Sequence, residues 1–192
     1  ISKEFIPDVI SLSTGCPTVR AQSSLPLLFD TQALRTPDAV ALTHGERSLN
    51  YSELNGKANQ LARYLITQGV GRDDVIAILM DRSFEMIISI LGVLKAGAGY
   101  LPLDLTYPPA RLKFMTLDSK AKCLIFASEF HSQTFFEYNG SDKENLPTTY
   151  DFNEQSLRKQ LEEFSCSPLL ESERSESLSW DQLAYVMYTS GS

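Results

Sequence analysis

A short, continuous apolar run at residues 75–80 constrains the fold of this chain more than any other feature. Its sequence, Val-Ile-Ala-Ile-Leu-Met, has the length of a strand and shows no polar face. A strand that is buried on one face alternates apolar and polar residues, whereas a parallel strand covered on both faces is apolar throughout. The run therefore predicts a parallel strand with other elements packed on both of its faces.

Helical patterns flank this run on both sides. On the N-terminal side, apolar residues recur at helical spacing from Tyr51 to Leu65, and Asn50 with Glu53 three residues later forms an N-terminal capping pair. On the C-terminal side, residues 84–95 are apolar almost all the way round, which predicts a largely buried helix. The run at 75–80 is thus predicted to lie between two helices.

The rest of the chain extends this alternation. The further elements predicted are a helix at 25–34, a hairpin with strands at 39–43 and 48–51, an edge or irregular strand at 100–104, a helix at 110–120 and a strand at 123–128. Alternating strands and helices with short links predict an α/β fold, a layered sheet with flanking helices. Residues 129–182 are polar, serine-rich and acidic, so we interpret them as a surface excursion between two strands with one helix at 151–164.

Charge and cysteine content exclude several classes of protein. The formal net charge of −7 offers no basic field for nucleic acid or anionic lipid, and the apolar stretches are too short to cross a membrane. Cys16, Cys123 and Cys166 are odd in number and share no short spacing, and the histidines are only His44 and His131. This pattern argues against a disulfide framework or a zinc site. We predict a cytoplasmic protein that binds neither nucleic acid nor membrane.

The last ten residues combine two kinds of sequence. Residues 183–188, Leu-Ala-Tyr-Val-Met-Tyr, suit a buried strand, and they lead directly into Thr189, Ser190, Gly191 and Ser192. Small hydroxyl residues with a glycine can present successive backbone N–H groups and hydroxyls to phosphate oxygens. The pattern predicts a phosphate-binding loop. Because serine- and glycine-containing loops follow many strands, a plain turn is the alternative that spacing alone leaves open.

Other polar residues do not form a recognisable catalytic centre. Asp104, Asp81 and the pair Asp73 and Asp74 each stand at a predicted strand end or turn, where aspartate is favoured for its local hydrogen bonds. Lys95 near the end of its helix suits the negative end of the helix dipole. Two histidines in unrelated loops support no catalytic triad. We therefore predict neither a catalytic residue nor a metal ligand within the chain.

Three ordered motifs resemble the adenylation domains of nonribosomal peptide synthetases, which belong to the adenylate-forming ligases. Residues 49–54 look like the first core motif of those domains, residues 94–104 resemble the second, and residues 183–192 resemble the third as far as they go. Residues 28–41 and 82–97 also look like the peptide-synthetase branch rather than acyl-CoA synthetases or luciferases. The resemblance implies the fold of the large subdomain of an adenylate-forming enzyme.

The resemblance also implies a reaction. In that family ATP and Mg²⁺ activate a carboxylic acid, usually an amino acid, as an aminoacyl adenylate with release of pyrophosphate. The acyl group then passes to the phosphopantetheine thiol of a peptidyl carrier domain, which works beside a condensation domain. The third motif holds the ATP phosphates, so the resemblance assigns that role to Thr189, Ser190, Gly191 and Ser192.

The motifs also suggest how the chain is organised. Residues 1–24 are expected to be a linker or lead-in, and residues 25–192 the N-terminal part of an adenylation domain that stops within its phosphate loop. In the family, the rest of the active site follows this loop, so the chain alone is expected to be inactive. Two alternatives stay open: a noncatalytic α/β scaffold or docking fragment, and a relative that activates aryl or fatty acids.

Overall fold

A computed structural model describes residues 24–127 and 147–189. The described helices are α1 (Leu25–Arg35), α2 (Tyr51–Thr67), α3 (Phe84–Ala96), α4 (Pro109–Asp118) and α5 (Gln155–Glu162), with a 3-10 turn at Glu171–Glu173. The described strands are β1 (Val40–His44), β2 (Arg47–Asn50), β3 (Val75–Leu79), β4 (Gly99–Leu103), β5 (Cys123–Phe126) and β6 (Thr148–Asp151). Every element predicted before residue 128 is present, with ends that differ by a few residues. Of the predicted lead-in at 1–24, only Ser24 lies within the described residues.

Helix α2 begins at the capping pair predicted from the sequence. The Asn50 side chain accepts a hydrogen bond from the backbone N–H of Glu53 at 2.8 Å, and the Glu53 carboxylate accepts one from the backbone N–H of Asn50 at 2.9 Å. Two of the N–H groups that a helix start leaves without partners are thereby satisfied. The cap fixes where α2 starts, directly after the β1–β2 hairpin.

The main sheet has the strand order β4-β3-β5-β6, and all of its pairs are parallel. Side chains of β3 alternate between two apolar clusters: Ile76 and Ile78 belong to one, and Ala77 and Leu79 to the other. All four are buried. The structure therefore confirms that the run at 75–80 forms a parallel strand covered on both faces.

The two clusters define two helical layers. Helices α2, α3 and α5 cover one face of the sheet with side chains such as Leu54, Ile88 and Leu157. Helix α4 covers the other face with Leu112 and Met115. The architecture is the layered α/β sheet with flanking helices that the sequence predicts. None of the described helices has the length and apolar composition needed to span a membrane.

The interpretation of residues 129–182 as a surface excursion is wrong in part. Strand β6 joins the main sheet in parallel beside β5, and the backbone N–H of Phe152 continues the pairing to the carbonyl of Phe126 at 2.8 Å. The helix predicted at 151–164 is correspondingly shorter, because Asp151 ends a strand before α5 begins. Thr148 and Tyr150 favour extended structure, but the strand is too short and too polar to give an apolar signal.

The chain then returns along the sheet edge through residues 165–189, which we call the return segment. Residues 183–188 do not form the buried strand that their composition predicts. They make a single parallel bridge, Tyr100 to Tyr185, and the Tyr185 and Met187 side chains are exposed. Pro102 lacks the N–H that would extend the ladder to residue 186, and among the described residues no backbone hydrogen bond joins Tyr188 to the Pro102 carbonyl. The proline does mark β4 as a strand with an irregular edge, as predicted.

Candidate functional site

A cleft of about 440 Å³ opens where strands β3 and β4 end. Met80 and Asp81 follow β3, and Asp104 follows β4; all three line the cleft. Met187 and Tyr188 of the return segment line it as well. Ligands of open parallel sheets bind outside the carboxyl ends of the strands. The cleft therefore lies where this class of fold places its ligands, and the return segment leads directly to it.

Two contacts fix the return segment against the sheet before it reaches the cleft. The Asp73 carboxylate accepts a hydrogen bond from the backbone N–H of Leu183 at 3.1 Å. Leu183 also packs so closely on β4 that a Cβ at Gly99 would lie 2.7 Å from its Cγ. A side chain at position 99 would force Leu183 to move, so the glycine permits this close approach. The paired backbone of Tyr100 follows immediately, with bonds to Ala184 and Val186.

Tyr188 fixes the far end of the segment. Its hydroxyl donates a hydrogen bond to the Asp118 carboxylate at 2.6 Å, and its ring meets that of Phe114 edge-on with centroids 6.3 Å apart. Burial and the neighbouring Asp118 carboxylate raise the pKa of Tyr188 to about 12. The hydroxyl therefore stays protonated and remains a donor across the ordinary range of pH.

Of the four residues predicted to bind phosphate, only Thr189 lies within the described part of the chain. It follows Tyr188 directly and is exposed to solvent. Ser190, Gly191 and Ser192 lie outside the described residues. The assignment of these four residues to phosphate binding therefore stays a prediction.

Asp104 and Asp74 make local hydrogen bonds, as their sequence positions predict, whereas Asp73 bonds to Leu183, 110 residues away, and Asp74 also pairs with Lys122. Asp104 accepts from the backbone N–H of Thr106 at 2.8 Å and from its hydroxyl at 2.7 Å, and these bonds lower the pKa of the carboxyl group. Asp74 accepts from the backbone N–H of Gly71 at 2.8 Å. Among the described residues, no cluster of three or more histidines, cysteines or carboxylates has the geometry of a metal site.

Arg63 of α2 is the principal contact between the helical layer formed by α2, α3 and α5 and the start of the return segment. Its guanidinium donates to the carbonyls of Ser165 and Ser167 at 2.6 and 2.7 Å and to that of Pro168 at 3.2 Å. It also pairs with the Glu173 carboxylate at 2.6 Å, which lowers the pKa of Glu173. One side chain of α2 thus holds the backbone over several residues.

The sequence interpretation missed the environment of Lys95. Its side chain is fully buried and pairs with Asp30 of α1, beside the ring of Phe29. Burial lowers the pKa of Lys95, and the hydrogen bond to Asp30 opposes that shift. Arg174 donates to the Lys95 carbonyl at 2.7 Å, which ties the end of α3 to the return segment. A lysine within an apolar stretch is a weak signal of burial, but nothing local indicates Asp30 as its partner.

Comparison with known proteins identifies the family. The sequence pattern that describes the family "AMP-binding enzyme" matches residues 29–192. Tyrocidine synthase 3 of Brevibacillus parabrevis is 40% identical over 176 residues, which are 90% of this chain and 2% of that protein. Bacitracin synthase 1 of Bacillus licheniformis is 41% identical over 190 residues, which are 99% of this chain and 3% of that protein. The chain thus spans only a few per cent of the length of these curated relatives.

The fold comparison agrees. The crystal structure of the nonribosomal peptide synthetase FmoA3 bound to α-methyl-L-serine-AMP superposes with a TM-score of 0.73 and 26% sequence identity, over 93% of this chain and 18% of that one. The family expected from the three sequence motifs is therefore confirmed. Since the family pattern matches well over half of its residues, the chain belongs to the AMP-binding enzyme family.

Proposed function

We propose that this chain is part of an adenylation domain of a nonribosomal peptide synthetase, which activates an amino acid with ATP. The observation that carries the proposal is the family match together with the position of Tyr188, which lines the cleft at the carboxyl ends of β3 and β4 and directly precedes Thr189. The similarity to tyrocidine and bacitracin synthases favours an amino acid over an aryl or fatty acid. The large subdomain of such an enzyme includes residues 25–192 in this proposal, with residues 1–24 as its lead-in.

The reaction joins a carboxylate to the α-phosphate of ATP. An oxygen of the amino-acid carboxylate forms a bond to the α-phosphorus, and the bond from that phosphorus to pyrophosphate breaks. In this proposal Thr189, Ser190, Gly191 and Ser192, the proposed phosphate loop, donate hydrogen bonds to the phosphates. Fixed donors would stabilise the negative charge that develops as pyrophosphate leaves. No catalytic role falls to another residue of the chain.

Mg²⁺ is expected with ATP, but the described residues do not supply a site for it. Asp81 and Asp104 are the carboxylates of the cleft, and one oxygen of Asp104 is already bonded twice by Thr106. This donor set does not fit a protein-held Mg²⁺, so we assign the ion no ligand in the chain and no step.

The partners follow from the same proposal. The aminoacyl group would pass from the adenylate to the phosphopantetheine thiol of a peptidyl carrier domain, and a condensation domain would use the thioester. The cytoplasmic location expected from the cysteine content stays a prediction.

Amino-acid-dependent exchange of pyrophosphate into ATP tests the function. The complete natural polypeptide should catalyse exchange with one or a few of the common amino acids, whereas the 192-residue chain by itself should give none. Removing two donors with Thr189→Val and Ser190→Ala should lower exchange on the order of 100-fold. Thr31→Val removes a hydroxyl whose described hydrogen bond lies within α1, to the Leu27 carbonyl, and should leave exchange unchanged.

Two outcomes would contradict the proposal. Exchange that depends on aryl or fatty acids, and on no amino acid, would assign the chain to another branch of the family. The absence of exchange with every acid would favour a noncatalytic α/β scaffold.

A further inference from the structure

The backbone pairing of the return segment ends before the proposed phosphate loop begins. The last described backbone hydrogen bond of the segment runs from Val186 N–H to the Tyr100 carbonyl, at 2.9 Å. In a parallel ladder the next bond would come from residue 102, which lies on the same side of β4 as Tyr100. Pro102 has no N–H to donate, and no described backbone hydrogen bond runs from residue 188 to its carbonyl. The sheet therefore does not fix the chain where it enters Thr189.

Tyr188 provides the last described anchor before Thr189. Its ring packs with the cluster formed by β3, β4, β5 and α4 and meets Phe114 edge-on. Its hydroxyl reaches Asp118 at 2.6 Å and lies 3.5 Å from the Met115 carbonyl. A hydrogen bond to a carboxylate is stronger than one between neutral groups. The side chain thus takes over the anchoring at the point where the backbone bonds stop.

The position of Asp118 supports a specific role for this bond. Asp118 is the last residue of α4, and the unpaired carbonyls at the end of a helix already make that end negative. A carboxylate there opposes the helix dipole, so the stability of α4 gives no reason for an aspartate at this position. Its described hydrogen-bond partner is the hydroxyl of Tyr188, from a segment 70 residues away in sequence.

We propose that Tyr188 and Asp118 are a positioning pair for ATP: their hydrogen bond sets the direction in which the chain enters the proposed phosphate loop. Neither residue is assigned contact with the reacting atoms. The inference rests on the proposed function, since it takes the phosphates of ATP as the ligand of residues 189–192. It goes further in naming what holds the loop in place.

The kinetics of pyrophosphate exchange by the complete polypeptide test the roles of Tyr188 and Asp118. Tyr188→Phe keeps the ring but removes the hydroxyl, and Asp118→Ala removes the acceptor. Each should raise the apparent KM for ATP about fivefold to tenfold and leave the KM for the amino acid within twofold, because one charged hydrogen bond is lost. The double variant should be no worse than either single variant, since both remove the same bond. Asp118→Asn retains an acceptor oxygen and should restore much of the loss.

Tyr185→Phe is the matched control. Tyr185 belongs to the same segment, is exposed, and has no described hydrogen bond from its hydroxyl, so its loss should not change the KM for ATP. Equal changes in both KM values, accompanied by a fall in Tm, would show a merely structural role and overturn the inference. So would additive effects of Tyr188→Phe and Asp118→Ala.

A second measurement does not depend on activity. In the polypeptide without bound nucleotide, Tyr188→Phe should speed amide hydrogen exchange in the peptide that covers residues 189–192. Tyr185→Phe should not change the rate in that peptide. An unchanged rate of amide hydrogen exchange in that peptide would overturn the inference even if the enzyme activates amino acids as proposed. If the amide hydrogen-exchange rates change as expected but no acid supports pyrophosphate exchange, the proposed function fails. The conclusion that Tyr188 and Asp118 hold residues 189–192 in place would remain.

Discussion

Two regions of this chain are held together by different interactions. The sheet core, which we define as β3, β4 and β5 with α2 and α3, is packed from apolar side chains; Leu61, Ile76 and Leu124 are each 2% exposed or less. No described residue of the return segment is buried, and exposed Leu170, Trp180, Tyr185 and Met187 are distributed along it. It is fixed instead by polar contacts to distant residues.

The apolar packing of the core and the polar contacts of the return segment have different consequences: the first sets the stability of the fold, and the second sets the position of the chain at the cleft. Apolar burial stabilises the core without specifying direction, whereas a hydrogen bond fixes one atom against another. The contacts of the return segment, at Arg63, Asp73, Tyr100 and Asp118, succeed one another along its path to the cleft. We therefore expect changes in the core to alter the free energy of unfolding, and changes at these contacts to alter the geometry at Thr189.

The largest expected effect concerns the core at alkaline pH. Burial raises the pKa of the Cys123 thiol from 9.0 to about 12. Because the thiol of the unfolded chain ionises first, stability present below pH 9 is lost as the pH rises toward 12, by up to about 4 kcal/mol. Urea unfolding between pH 8 and pH 11 measures the loss, and Cys123→Ala should make its pH dependence shallower. An equally steep dependence in this variant would contradict the burial of Cys123.

The second effect is a cavity in the core. Leu61 packs against α3 so closely that a Cβ at Gly92 would lie 2.7 Å from its Cδ2. Leu61→Ala should lower the free energy of unfolding by about 3 kcal/mol, because it removes buried methyl groups and leaves a void. Urea unfolding gives the value, and the KM for ATP of the complete polypeptide should stay within twofold at temperatures where the variant is folded. A large rise in that KM would show that the two regions are not separable.

The smallest effect on stability is expected where the return segment begins. Arg63→Met removes the donors to three carbonyls and the partner of Glu173, and should lower the free energy of unfolding by about 2 kcal/mol. Hydrogen exchange should speed up at residues 165–174 far more than in β3. Lys57→Met, at an exposed position of the same helix, is the control and should change neither quantity. Uniform loss of protection in both regions would refute the comparison.

The same division explains what the sequence could predict. The capping pair of Asn50 and Glu53 is three residues apart, and the run at 75–80 is continuous, so both give local signals. The partners of Lys95 and Arg63 lie 65 and 110 residues away, and no local pattern indicates them. The sequence does not indicate strand β6, because its four residues, Thr-Thr-Tyr-Asp, show no alternation of apolar and polar side chains. Its pairing with β5 decides its structure.

For the candidate site, the composition of residues 189–192 predicts a phosphate-binding loop, but the sequence does not indicate which residues hold that loop in place. Residues 183–188 have the composition of a buried strand, yet they make one bridge at the edge of the sheet, beside a proline that has no N–H to donate. The hydrogen bond between Tyr188 and Asp118 depends on how α4 packs, which a sequence pattern does not contain.

Hydrogen exchange of the complete polypeptide with and without a nonhydrolysable ATP analogue tests the central claim most directly. The account predicts that the analogue slows exchange in peptides covering residues 186–192 and leaves α5 unchanged. Saturating binding of the analogue without slower exchange in those peptides would contradict it, because the phosphates would then lie elsewhere.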